Sequence, residues 1–166
     1  NEKGYIFPLD IFTSEQAAAN RRYFDELMEK AQAAGHNSYS INGWQRHCRG
    51  IYDLLYDERI LDCVEDLLGP NIVNTMTHYF SKEVGDEKQV TWHQDASYWP
   101  LTPSKTVPGS HLHGQIPFER STEEEQAVLG QSVRHAEEWG DAPVSINLRA
   151  GQVSIHTDLL LHGSGF

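Results

Sequence analysis

The order of predicted elements in this 166-residue chain indicates an α+β or mostly-β protein, with helices packed on one side of a strand-rich core. Apolar residues recur at helical spacing in the first half, whereas β-branched and aromatic runs broken by turn residues follow Pro70. A chain of this length can bury a core and is expected to form one domain. We therefore predict a single domain over 1–166, helical over 1–69 and strand-rich over 70–166.

Two helices are predicted before Pro70. The first spans about 14–34, because Thr13 and Gln16 have the form of a capping box and Gly35 suits a C-terminal cap. Its apolar positions are expected to be buried, and they are Ala17, Phe24, Leu27, Met28 and Ala31. The second helix runs from about 57 to 68 and ends at the Gly69-Pro70 pair.

Strands are predicted after Pro70, where the sequence period changes. The runs NIVNTMTHYFSK (71–82) and QVTWHQD (89–95) are rich in strand-forming residues, and PGSH (108–111) is typical of a turn. Ser121 is expected to begin a short acidic helix that ends near Leu129. The C-terminal part predicts two strands separated at Ala150-Gly151 and a third over about 159–162.

Composition excludes several classes of function. The formal net charge of −11 argues against nucleic acid, because a phosphate backbone requires a Lys/Arg-rich face. No apolar run is long enough to span a membrane, and the N-terminus lacks the layout of a signal peptide. Two cysteines, Cys48 and Cys63, are too few for a disulfide framework. We expect a cytoplasmic protein that binds a small molecule, with neither nucleic acid nor a membrane as partner.

The stretch VTWHQDASYWP (90–100) places His93 and Asp95 two residues apart in a predicted strand, so their side chains point to the same face. Such a pair can bind a metal, relay a proton or satisfy its own hydrogen bonds in a polar core. With His162 it forms a set of two histidines and one carboxylate, which suits non-haem Fe(II). That set occupies one face of an octahedral ion and leaves the opposite face open.

Three longer motifs occur in a fixed order: WHQDASYWP, PGSHLHG and AGQVSIHTDLLLHGSG, preceded by YFSKEVGDEKQV. In these motifs the sequence resembles the phytanoyl-CoA dioxygenase family of Fe(II)/2-oxoglutarate oxygenases over most of 71–166. The resemblance implies a double-stranded β-helix, a cupin-like jelly-roll barrel, over 70–166. It also implies Fe(II) held by His93, Asp95 and His162, with 2-oxoglutarate and O₂ as cosubstrates. The implied reaction hydroxylates a small organic molecule and releases succinate and CO₂.

Three further residues are candidates for binding the cosubstrate. Trp99 and Ser164 match positions that line the 2-oxoglutarate site in some relatives, where an indole N–H or a hydroxyl can bond a carboxylate. Their alternatives are a core aromatic residue and a turn residue between two glycines. His78 shares a predicted strand face with Met76 and Phe80, and it would contact cosubstrate or substrate if that face lines the barrel.

The sequence departs from the family pattern in two places. Relatives usually carry an Arg about ten residues beyond the distal His, where it pairs with the C5 carboxylate of 2-oxoglutarate, but the sequence ends at Phe166. Relatives also have a Trp-containing strand and an acidic turn where this chain passes directly through LTPSKTVPGSH (101–111). We therefore expect a longer natural chain, with a segment missing between Thr106 and Val107 and a tail after Phe166. A Cα separation of ~3.8 Å at Thr106–Val107 would contradict the first expectation.

Other functions remain open at the level of sequence. A non-catalytic barrel could bind a metal or small ligand without turnover, and two histidines with one carboxylate can also hold the zinc of a hydrolase. A halogenase-like relative is disfavoured by Asp95, because halogenating relatives replace this carboxylate with a small residue. No motif selects a substrate or an oligomeric state.

Overall fold

The structure, a computed structural model, describes residues 2–37, 39–81, 85, 87–98, 110–122 and 127–164. The chain divides into two compact units. Unit 1 comprises Asn1–Leu9, Gly85–Leu148 and Val153–Phe166, and unit 2 comprises Asp10–Val84 and Arg149–Gln152. The prediction of one domain over 1–166 stays a prediction.

The first predicted helix is confirmed as α1, Ser14–Ala33, in unit 2. The Thr13 hydroxyl accepts from the Gln16 N–H while the Gln16 side chain accepts from the Thr13 N–H, which completes the predicted capping box. Gly35 adopts φ 85° just after the helix, a conformation that favours glycine. Met28 and Ala31 are buried, and the other predicted apolar positions are partly buried.

Two further α-helices lie in the described part of unit 2. Helix α2, Arg49–Leu55, was not predicted, whereas α3, Glu58–Leu68, has the predicted bounds. The Asp57 side chain caps α3 by accepting from the Arg59 N–H, and Gly69 ends it. The core of unit 2 joins α1 and α2 to the segment between them through Met28, Ala31, Ile41 and Ile51.

The apolar face of α3 is only partly covered within the described residues. None of its residues is fully buried, and Leu68 is 73% exposed. Ile60, Leu61 and Val64 line an open groove of about 660 Å³ together with residues of the 70–79 segment.

The strand predicted over 71–82 is wrong for the described residues 71–81. They form an irregular segment with one isolated bridge, between His78 and Asn42. Among the described residues, two backbone bonds flank this bridge, from the Gly43 N–H to the Thr77 carbonyl and from the Tyr79 N–H to the Ile41 carbonyl. The strand propensity of a residue depends on how its side chain packs against neighbouring strands. No neighbouring strand runs along this segment in the part of the chain described, so its strand-forming residues do not form a strand.

The described residues contain six short strands. They are β1 (Tyr5–Asp10), β2 (Val90–His93), β3 (Glu119–Arg120), β4 (Gln131–Ser132), β5 (Gln152–His156) and β6 (His162–Ser164). They form three two-stranded sheets, β1–β5, β2–β6 and β3–β4, of which the last two are antiparallel. In the β2–β6 pair, Val90 lies opposite Ser164 and His93 opposite His162, with an irregularity between these two positions.

Several strand and helix predictions in unit 1 are corrected. The run 144–149 is irregular and exposed, and the last strand begins at His162 instead of ending there. The described residues 121, 122 and 127–129 of the predicted acidic helix are not helical, and Ala127 makes an isolated bridge to Gln89. Ser110–His113 of the predicted turn forms a short 3₁₀ helix.

The described residues therefore form a mixture of helices and small sheets, and these sheets do not close into a barrel. The double-stranded β-helix implied by the resemblance is not shown. The Thr106–Val107 junction and the tail end at Phe166 lie outside the described residues. Among the residues that the structure describes, no helix has both the length and the apolar character needed to cross a membrane.

Candidate metal centre

The three predicted metal ligands come together in unit 1. His93 ends β2, His162 begins β6, and Asp95 begins a 3₁₀ helix that spans Asp95–Tyr98. The Asp95 Oδ1 lies 3.5 Å from the His93 Nε2 and 3.8 Å from the His162 Nε2. One potential ligand atom from each residue lies within 4.8 Å of the others, so one ion could contact all three.

Asp95 reaches this position by leaving the strand, which corrects the expectation that His93 and Asp95 share one strand face. The Ser97 hydroxyl and N–H both donate to the Gln94 carbonyl, at 2.7 and 3.1 Å. Such local bonds from serine compete with sheet pairing and favour a turn. The turn still brings the Asp95 carboxylate against the His93 ring. The predicted contact between the two side chains is therefore present, but it does not arise from a shared strand face.

The backbone contacts of both candidate ligand histidines favour the tautomer that leaves Nε2 available to a metal. The His93 Nδ1 lies 2.8 Å from the Thr91 carbonyl oxygen, and the His162 Nδ1 lies 2.8 Å from that of Leu160. A ring nitrogen this close to a carbonyl carries the hydrogen and donates it. The lone pair is therefore on Nε2 in the neutral rings, the nitrogen that faces Asp95 in each case.

Burial and charge prepare the site for a cation. Burial lowers the pKa of His162 to about 4, and the neighbouring His93 and His156 lower it further. The Leu160 carbonyl and Asp95 raise this pKa but do not offset the decrease. Burial alone would raise the pKa of Asp95, but the hydrogen bond with His93 and the favourable electrostatic interactions with His162, His93 and His156 outweigh it and lower that pKa. Near neutral pH, His162 is thus an uncharged imidazole that can donate an electron pair to a metal, and Asp95 is a carboxylate.

A third imidazole, which the sequence did not single out, adjoins the site. The ring of His156, at the end of β5, lies 4.5 Å from the ring of His162, centroid to centroid. Its Nδ1 lies 3.1 Å from the Thr157 carbonyl oxygen. It is not a member of the converging ligand group. Sequence spacing gave no signal for His156, because its proximity depends on how β5 and β6 lie in the fold.

The surroundings of the ligands are partly open. The His93 side chain is buried, but Asp95 and His162 are only half-buried, at 38% and 27% side-chain exposure. The ring of Tyr98 lies 6.1 Å from that of His93. Burial raises the pKa of the Tyr98 hydroxyl, and the nearby Asp95 raises it further. A small molecule could therefore approach the carboxylate and the second imidazole from solvent.

Two of the three predicted cosubstrate residues are described, and they belong to different units. Ser164 lies in β6, two residues after His162, and is exposed. His78 belongs to unit 2, where its Nε2 lies 3.1 Å from the Tyr39 carbonyl oxygen and its ring packs 4.2 Å from that of Phe80. Trp99 lies outside the described residues. The binding roles of all three stay predictions.

Two imidazoles and a carboxylate that converge with free Nε2 lone pairs define a candidate mononuclear metal site of the kind typical of non-haem Fe(II) proteins. The family model described as Phytanoyl-CoA dioxygenase (PhyH) matches residues 1–128, so the chain belongs to this family and the resemblance is confirmed. His93 and Asp95 lie inside the matched range, and His162 lies after it. Searches of curated proteins and of solved structures gave no match.

Proposed function

We propose that the protein is an Fe(II)/2-oxoglutarate-dependent dioxygenase that hydroxylates a small organic molecule. The convergence of His93, Asp95 and His162 is the observation that carries the proposal. Although His162 lies 69 positions after His93, the three residues present donor atoms within 4.8 Å of one another. Membership of the PhyH family supports Fe(II) as the metal and 2-oxoglutarate as the cosubstrate.

The donor set fits a divalent transition-metal ion. Two neutral imidazoles and one carboxylate match the ligand preference of Fe(II), and the backbone carbonyls of Thr91 and Leu160 fix both rings with Nε2 available. His93, Asp95 and His162 would hold the ion. Bound Fe(II) with 2-oxoglutarate supplies the oxidising power for hydroxylation by O₂, with succinate and CO₂ as coproducts.

The protein's own contribution is to orient the ligands and to leave room beside them. Three protein ligands would leave room at a bound ion for the cosubstrate and O₂, and the partly exposed side chains of Asp95 and His162 would give access from solvent. We infer that Ser164, two residues beyond His162 in the same strand, faces the same side and donates to a carboxylate of 2-oxoglutarate. Trp99 and His78 remain further candidates for this binding.

We also infer that the complete fold is a jelly-roll barrel. Family membership supports this inference, and so does the β2–β6 pair, which carries His93 and His162 opposite each other as a ligand-bearing strand pair of such a barrel would. The substrate is proposed to be a small molecule, and no described residue selects its class.

Anaerobic titration with Fe(II) and 2-oxoglutarate tests the proposed site. We expect the weak visible charge-transfer band of the chelate in the parent protein. His93→Ala and Asp95→Ala each remove a ligand, so metal affinity should fall by on the order of 100-fold or more, beyond the usual effect of residues that only support a ligand. His47→Ala, which removes an exposed imidazole in unit 2, is the matched control and should retain the band.

An intact fold without any band in the parent protein would contradict the proposal, as would an unchanged band in both ligand variants. Succinate formation from 2-oxoglutarate in air then separates an oxygenase from a barrel that only binds metal. Binding without succinate over a broad panel of small substrates would favour the non-catalytic alternative.

A further inference from the structure

Gln94 lies between two candidate metal ligands in sequence, but its side chain points away from them into the interior of unit 1. The residue is 2% exposed. A buried amide is costly unless its hydrogen-bonding groups find partners, so a glutamine in this place calls for a structural reason.

The side-chain amide of Gln94 bonds backbone groups from two distant segments. Its Nε2 donates to the Leu159 carbonyl at 2.6 Å and to the Gly114 carbonyl at 3.1 Å. Its Oε1 accepts from the Ile116 N–H at 2.8 Å. Both amide hydrogens and the amide oxygen are therefore used, and one side chain joins the His93–Asp95 segment to the chain before His162.

The bond to Leu159 acts on the turn that positions His162. A second bond to this turn runs from the Ala96 N–H to the Asp158 carbonyl, at 2.8 Å. The same turn contains Leu160, whose carbonyl accepts the His162 Nδ1–H and so sets the orientation of the imidazole. A displacement of the turn would rotate or shift the His162 ring relative to Asp95.

Sheet pairing alone does not fix this geometry. The β2–β6 ladder is irregular between Val90 and His93, and β6 is only three residues long. A short irregular ladder specifies register weakly. The bonds of Gln94 act outside the ladder and on its ligand-bearing end.

We propose that Gln94 is a positioning residue that holds His162 in place against His93 and Asp95 through the turn before β6. This inference rests on the proposed metal site. It assigns Gln94 no contact with the metal or with substrate; its effect reaches the ion through the His162 ring.

Gln94→Met tests the proposal, because methionine has a similar length and can fill the same space without donating or accepting these bonds. Val133→Ala is the matched control, since it truncates a buried side chain of unit 1 that has no part in the ligand group. Co(II), an ion with a visible spectrum sensitive to its ligands, serves as the probe. If Gln94→Met fails to fold, Gln94→Asn shortens the reach to Leu159 while keeping the amide.

We expect Gln94→Met to weaken Co(II) binding by ~10–100-fold, the usual effect of removing a residue that supports a ligand. Its Co(II) spectrum should shift towards that of His162→Ala. In the His162→Ala background, Gln94→Met should weaken binding no further, because the ligand through which it acts is gone. Val133→Ala should bind Co(II) like the parent although its unfolding temperature falls.

Two results would overturn the inference alone. The first is a Co(II) affinity in Gln94→Met equal to that in Val133→Ala. The second is that Gln94→Met weakens Co(II) binding by the same factor in the parent and in the His162→Ala background. Failure of the parent protein to bind Co(II) would overturn the proposed metal site together with the inference. The three results are distinct, so a failure of the inference alone can be told from a failure of the proposed metal site.

Discussion

His111 is a fully buried imidazole, and neither ring nitrogen has a hydrogen-bond partner among the residues that the structure describes. Its ring packs against the backbone of Gly4, where an added Cβ would lie only 2.6 Å from it. Burial lowers the pKa of His111 to about 4, because a charged ring would lose hydration and gain no compensating bond. The residue is thus held in its neutral form.

This burial predicts a loss of stability in mild acid. The unfolded chain binds a proton at His111 near pH 6.5, whereas the folded chain does so only near pH 4. The free energy of unfolding should therefore fall as pH drops through this window, by up to about 3 kcal/mol from His111. His111→Leu should reduce that fall, which urea unfolding of the metal-free protein between pH 7.5 and 4.5 would measure.

The exposed neighbour His113 provides the control for this prediction. His113→Leu should leave the pH dependence of the parent unchanged. His162 keeps part of the acid effect in every variant, because burial lowers its pKa in the same direction. Equal pH slopes for the parent and His111→Leu would contradict the assignment to His111.

Single residues differ in how far the sequence could reveal their roles. His93, Asp95 and His162 could be predicted as a candidate ligand set because their chemical types match a known one, and the structure brings their donor atoms together. Gln94 was missed although it lies between two of them, since its partners are 20, 22 and 65 residues away and leave no local pattern. The role of a buried polar residue depends on the backbone groups that surround it, and these become visible only in the fold.

Among the elements, the β2–β6 pair requires a glycine beside its ligand. A Cβ on Gly163 would lie 2.8 Å from the Val90 carbonyl oxygen, a backbone atom that cannot move without separating the strands. Glycine here permits close approach of the two chains, and it directly follows His162.

Gly163→Ala should therefore disturb both stability and metal binding. We expect an overpacking cost of about 1–3 kcal/mol in the free energy of unfolding, together with weaker Co(II) binding as β6 moves away from β2. Chemical denaturation and Co(II) titration would measure the two effects.

Gly130→Ala is the control, because no atom of the described part of the chain lies within 4 Å of its added Cβ and its φ is not positive. It should change neither property appreciably. Full stability and parental affinity in Gly163→Ala would show that the two strands do not need this close approach.

Helices were predicted better than strands, for a physical reason. The start and end of α1 and α3 depend on caps and turns within a few residues, such as Thr13 and Gly69, which a local reading can find. The strands depend on distant partners. The β-branched residues of 71–77 predicted a strand that no described neighbour completes, and β1 was missed because its partner, β5, begins at Gln152.

For the whole molecule, the metal site predicts where a ligand would stabilise the chain. All three candidate ligands belong to unit 1. Co(II) at 100 times its dissociation constant should raise the free energy of unfolding by about 2.7 kcal/mol. In hydrogen exchange, we expect added protection to concentrate in β2, β6 and the turn before His162, and to be smaller in α1 and α3.

Asp95→Ala provides the comparison for this prediction. The variant should show neither the rise in stability nor the added protection at the same Co(II) concentration. Protection that persists in Asp95→Ala, or that is greatest in α1, would place the bound ion elsewhere in the chain.

The sequence predicted the family correctly but could not supply the architecture of the whole chain. The motif order around His93 and His162 was sufficient for the family, which the match over 1–128 confirms. The barrel implied by that family requires strands that pair over long distances, and three two-stranded sheets are what the described residues provide. The chemistry of a candidate site can be predicted from short sequence motifs, whereas the closure of a sheet into a barrel depends on strand pairings between distant parts of the chain.

The bond between Gln94 and Leu159 also bears on the order of folding. It spans 65 residues, so the chain must lose the entropy of closing a long loop before this bond or the ligand group can exist. Helix α1 depends on local contacts and has no such barrier. A Co(II) spectrum recorded during refolding would thus report when the Leu159–His162 segment reaches the His93–Asp95 segment, which dates one long-range step in the assembly of unit 1.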